Sequence, residues 1–140
     1  MSWILLALLT ALFYGAYNFF IKISSGYINQ IAGAVILQLV ALLIGTGILL
    51  FLKLTNSVIE ISNKGVLYAV LAGVFVGLAE IISFIVFSKG VSVSTGLPII
   101  IGGSIVIGSI LGIVFLKESL TPLHILAIAL IVLGIIILVK

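Results

Sequence analysis

One carboxylate, Glu80, lies inside the apolar stretch 65–88 that Lys64 and Lys89 bound. Such a group can bind a proton, or the cationic part of a small molecule, and can exchange one for the other. An ionisable side chain at membrane depth costs a few kcal/mol or more, so it faces a protein interior or a wet cavity and marks an ion, proton or substrate path. The side chains that could share a cavity with it are Tyr14, Tyr17, Asn18, Gln38 and Ser83, with Ser104 as a more distant candidate. Hydroxyls and amides of this kind select shape and hydrogen-bonding pattern, and they also glue helices together in membranes. The small hydroxyls Thr10, Thr46, Ser83 and Ser104 fit the packing role best. For Tyr14, Tyr17, Asn18 and Gln38 the two roles are balanced, and for Glu80 function is favoured.

These residues need elements to carry them, and the composition says which kind. The 140 residues are 64% hydrophobic and 6% charged, against roughly 25% charge in a soluble domain. The expectation is an all-α integral membrane protein, with no room for a soluble catalytic, nucleic-acid-binding or receptor module. Cysteine and aspartate are absent, there is one histidine, and the three glutamates are isolated. Thiol chemistry, paired-carboxylate catalysis and metal-ligand clusters therefore cannot be assembled within one chain. No catalytic residue, metal or cofactor is expected.

Six lysines divide the chain into five apolar runs that read as transmembrane helices over 3–21, 31–52, 66–87, 97–116 and 123–139. The first run lacks a basic n-region and is longer than a signal-peptide core, so it reads as a span. Short links make sequential helices antiparallel and put the two termini on opposite sides. Thr121-Pro122 is a helix start, a capping hydroxyl followed by proline at the first helical position. Lys53, Lys64 and Lys117 then fall on one side, and Lys22, Lys89 and Lys140 on the other. An even split gives the positive-inside rule nothing to act on. It fits dual topology, in which copies insert both ways and pair as an antiparallel dimer, doing with two chains what inverted repeats do in one.

Helical spacing sorts the polar groups onto faces. In the third helix Gly73, Gly77, Glu80, Ser83, Phe84 and Phe87 form one stripe, with GxxxG spacing that permits close helix approach. In the first helix Trp3, Ala7, Thr10, Tyr14, Tyr17, Asn18 and Ile21 form another, and Gln38 and Thr46 share a side of the second. The fourth helix combines Pro98, the pair Gly102-Gly103, and Gly108 with Gly112. These suit a packing face for a second copy or for this chain, or a bend that lets half a helix rock. His124, at interface depth, reads as a polar anchor.

Several segments together, ALFYGAYNFFIK, FSKGVSVSTGLP, LKESLT and the closing IVLGIIIL, resemble the EamA-type domain of the drug/metabolite transporter superfamily over the whole chain, 1–140. Tyr14-Gly15 stands where that family often has Trp-Gly. Lys89-Gly90 matches its junction after the third helix, and Lys117-Glu118 replaces its usual Gly-Glu. The resemblance implies one five-helix EamA-type repeat, a multi-pass protein of a cell membrane (the inner or plasma membrane of a prokaryote), and a secondary transporter, commonly an exporter of small metabolites. It makes Glu118 a structural signature at the membrane surface. The more distant four-helix multidrug proteins carry an essential Glu in the first helix, where this chain has Tyr14, so their drug–proton mechanism does not transfer.

The expected function is export of a small metabolite or organic cation through a midplane cavity between two copies, with Glu80 as the proton or substrate site. A flippase-type half-transporter working with a paralogous partner chain, and a non-transporting membrane scaffold, are the alternatives.

Overall fold

The computed structural model describes residues 2–140, which form five α-helices: α1 Trp3–Ser24, α2 Gln30–Leu54, α3 Asn63–Ser88, α4 Val93–Leu116 and α5 Pro122–Val139. No strand occurs among the described residues, and all five helices are long and apolar enough to cross a membrane. The helices α2, α3 and α5 begin one to three residues earlier than hydropathy alone suggests, because polar residues at the membrane edge start them. Asn29 accepts from the amides of Ile31 and Ala32, Ser62 from that of Gly65, and Thr121 from that of His124. Such caps satisfy amides that have no partner within the helix. Hydropathy detects the lipid-facing run, whereas the helix extends to wherever its first carbonyls and amides are satisfied.

The chain divides into two compact units, one ending at Gly90 and the other running from Val91 to Lys140. In the first unit, α3 packs against both α1 and α2. Tyr17 meets Glu80 and Lys22 meets Phe87, so α1 and α3 run parallel in register. On the other flank Gly33 lies at Phe84 and Gln38 at Gly77, a rising number against a falling one, so α2 is antiparallel to α3. The buried residues Asn18, Ile21, Ala34, Glu80, Phe84 and Phe87 sit at one end of this unit. Towards the other end the helices present their side chains outward, and Gly45 and Gly73 have open space around them. Of the stripe in α3, the part from Gly77 to Phe87 is thus the contact face, while Gly73 lies beyond it.

The second unit is the antiparallel pair α4 and α5, in which Gly102 receives Ile131 and Ile135. The helix α4 runs unbroken through Pro98 and the glycine pair. Gly108 faces open space, and Gly112 is covered by Glu118 of the same chain rather than by another helix. The end of α4 explains the Lys117-Glu118 signature. Lys117 adopts a left-handed backbone, φ 58°, and the Glu118 amide bonds back to the Gly112 carbonyl at 3.2 Å. A left-handed residue is a common helix stop, and glycine is the usual residue there. A Cβ-bearing residue there carries roughly 1–2 kcal/mol of backbone strain. His124 completes the cap of α5, its Nδ1 accepting from the Thr121 amide at 3.4 Å.

The close approach of α2 to α3 depends on Gly33, where a Cβ would lie 2.5 Å from Phe84 Cε1. Gly33→Val should therefore overpack this contact and lower stability by about 1–3 kcal/mol. Gly45→Ala, in open space, should leave it unchanged or slightly raised. Thermal unfolding in detergent followed by circular dichroism measures both, and an unchanged Gly33→Val melting temperature would contradict this packing.

Candidate functional site

Glu80 projects from the contact face of α3 and is 6% exposed. The Tyr17 hydroxyl, from α1, donates to its Oε1 at 2.7 Å. Its other oxygen, Oε2, is buried and has no hydrogen-bond partner. A hydrogen bond to an ionised group contributes about 1.5–3 kcal/mol, and a buried polar atom left unpaired costs about 1–3 kcal/mol. One oxygen is therefore held while the other is buried and unpaired. The parallel register of α1 and α3 produces this arrangement, since it sets the aromatic face of α1 beside the carboxylate.

That face also makes an open groove. Thr10, Phe13, Tyr14 and Tyr17 of α1, together with Glu80, line a space of about 340 Å³. The rings of Tyr14 and Tyr17 meet edge to face, centroids 5.6 Å apart at 69°. This orientation suits the ring quadrupoles and fixes the Tyr17 ring for its bond to Glu80. Three aromatic rings beside one carboxylate have the chemistry that attracts a cation with an apolar body, because ring faces and a carboxylate both attract positive charge. Among the described residues no group of three or more His, Cys, Asp or Glu comes together in a way that could hold a metal ion.

The remaining residues expected from sequence fall in different places. Tyr14 lines the groove and is half exposed, at 51%. Asn18 is buried, but its amide donates to the Tyr14 carbonyl of its own helix at 2.8 Å, so it braces α1 from the packed side. Gln38 lies against Gly77, one turn before Glu80 on α3. Ser83 is buried on the same face, one turn after it. Ser104 belongs to the other unit, where its hydroxyl bonds to the Ile101 carbonyl. Thr46 is exposed on α2, well away from Gln38's contact.

Two contributions were missed. Phe13 lines the groove, a position legible from its spacing of four residues from Tyr17 but passed over because phenylalanine reads as a lipid-facing residue. Lys22, counted only as a topology charge, sends its Nζ to the Phe87 carbonyl at 3.0 Å. It closes the packed end of the unit by placing a cation on the carbonyl end of α3, where the helix dipole favours it.

Comparison with known proteins bears on the whole of this architecture. The sequence profile of the EamA-like transporter family matches residues 1–140. An uncharacterised protein of Methanocaldococcus jannaschii is similar, with 33% identity over 136 residues that cover 96% of this chain and 94% of that protein. No solved structure gives a significant match. The full-length family match and the near full-length relative agree with five apolar helices, and the chain belongs to the EamA-like transporter family, multi-pass membrane transporters of the drug/metabolite superfamily.

Proposed function

We propose that this protein is a secondary active exporter of a small metabolite or organic cation, and that Glu80 is the group at which proton and substrate exchange. The observation that carries this reading is the buried Glu80 carboxylate, held on Oε1 by Tyr17 with Oε2 unpaired beside an aromatic-lined groove. A scaffold has no need of such a group, because an amide would satisfy the Tyr17 hydroxyl without an unpaired acceptor. A guest bearing an ammonium group would approach the Glu80 carboxylate with its apolar body against Phe13 and Tyr14, and would reach the buried Oε2 only after a side-chain shift. A proton arriving from the opposite side would neutralise the carboxylate and release that guest. Asn18, Gln38 and Ser83 support the site from the packed faces of the three helices.

In this reading residues 1–140 act as one five-helix EamA-like domain. Two copies inserted in opposite senses in the cell membrane of a prokaryote pair as an antiparallel homodimer, with a midplane cavity between them. The three-to-three division of the lysines supports dual insertion, because neither orientation is then favoured by cytoplasmic positive charge. Alternating access follows by rocking one copy against the other, as in transporters whose inverted repeats lie within one chain.

Glu80→Gln keeps the size and the acceptor for Tyr17 but cannot gain or lose a proton. Vesicles containing the variant should lose acid-driven movement of a panel of aliphatic and aromatic amines down to the protein-free level, while gel filtration and melting match the parent. A variant still coupled to the proton gradient would end this reading, and altered stability with no flux in either protein would favour the scaffold. Dual insertion is tested separately with reporters active on opposite sides of the membrane, each fused after Lys140. Signal from both is expected, whereas signal from one alone would require a parallel assembly or an oppositely oriented partner chain.

A further inference from the structure

The first unit contains a second open groove, and it meets the first at Tyr17. A space of about 300 Å³ is bordered by Tyr17, Ile21 and Ser24 of α1, Gly33 and Leu37 of α2, and Phe84 of α3. The groove at Glu80 uses α1 from Thr10 to Tyr17, and this one uses α1 from Tyr17 to Ser24. Together they follow α1 for about 21 Å at 1.5 Å per residue, a large part of a hydrocarbon core of about 30 Å. Tyr17 is the one side chain that borders both, and its hydroxyl is tied to Glu80.

We infer that the Tyr17–Glu80 hydrogen bond is a latch between two segments of one translocation route along α1, and that a proton taken up at the buried, unpaired Oε2 opens it. This inference rests on the reading of Glu80 as the exchange site. It makes Tyr17 a positioning residue that decides which segment the carboxylate serves.

The chemistry of the bond supplies the coupling. A hydroxyl bonded to an ionised carboxylate is held about twice as strongly as one bonded to a neutral acceptor. Charge neutralised at Oε2 therefore weakens the hold on Oε1 without any guest having first to displace Tyr17. Once the hydroxyl is free, the ring can change rotamer, which is fast compared with helix motion. With Glu80 ionised and empty, the ring returns and the segments are separate again.

The surroundings leave this bond as the controlling contact. From α1 the neighbouring titratable group is Tyr14, edge-on to the Tyr17 ring. From α2 the nearby polar group is the uncharged amide of Gln38 at Gly77. On α3 it is Ser83, one turn on. Among the described residues Tyr17 is the side chain that hydrogen-bonds the carboxylate, and Lys22 is engaged at the Phe87 carbonyl.

Tyr17→Phe keeps the ring and both grooves and removes only the latch. The probe is the proton: full-length protein in liposomes with an imposed pH gradient, read by an entrapped pH-sensitive dye without added substrate. Proton leak through Tyr17→Phe should be roughly ten- to a hundredfold faster than through the parent, the range expected for losing a hydrogen bond to a charged group, and should vanish in Tyr17→Phe with Glu80→Gln. Leak at the parental rate would overturn the latch while leaving Glu80 as the exchange site untouched. A fast leak that persists in the double variant would also overturn it, because the route would then bypass the carboxyl. A measurement on the parent protein does not depend on any Tyr17 variant folding. In infrared difference spectra taken on acidification, a tyrosine C–O band should shift together with the appearance of a carboxyl C=O band. Both changes should be missing in Glu80→Gln, and a carboxyl band with no tyrosine shift would overturn the latch.

Discussion

Hydrocarbon offers no hydrogen bonds, and the arrangement of this protein follows from that constraint. Every backbone group in a span must be satisfied within its own helix, which makes the chain five helices rather than any other structure. The same constraint gathers polar side chains onto the faces where α1, α2 and α3 meet. It also accounts for helix ends capped by Asn29, Ser62 and Thr121, residues that terminate the apolar runs without leaving amides bare. Glu80 is the strongest expression of the constraint, because its carboxylate cannot be placed towards lipid and must be answered by another helix.

The answer comes from Tyr17, and the register that brings it there is secured at the packed end of the unit. Phe84 fills the space left by Gly33, Ile21 and Phe87 are buried beside it, and Lys22 binds the carbonyl end of α3. These contacts lie within two turns of Glu80. The other halves of the three helices have few such contacts and leave room for the aromatic-lined groove.

The pair α4 and α5 is built differently. Its contact is made by Gly102 against Ile131 and Ile135, and is apolar. In the turn after α4, Lys117 takes a conformation that normally favours glycine. The Glu118 backbone amide helps to end the helix, while its side chain lies over Gly112. The contrast between Glu118, at an exposed turn, and Glu80, buried among three helices, shows that position in the fold and not residue type separates the two carboxylates.

Hydropathy, helical period and lysine spacing by themselves determined five spans, the polar face of α1, and Glu80 as the residue in most need of explanation. Each of these depends on local composition or on which residues share a helix face, and both are properties of a linear chain. The same signals could not say which of the candidate residues would meet. Tyr14 and Tyr17 were expected near Glu80 and line its groove, but Asn18, four residues after Tyr14 on the same stripe, spends its amide on its own helix. Gln38 and Thr46 share a side of α2, yet only Gln38 reaches α3, because the helices touch at one end. Phe13 and Lys22 acquire their roles from the parallel register of α1 with α3, separated by 63–65 positions in sequence. That register is set by the fit of Phe84 into the gap at Gly33 and by the bonds at Glu80 and Phe87. These are long-range contacts, so only the tertiary structure could decide which oxygen of Glu80 would be held and which left unpaired.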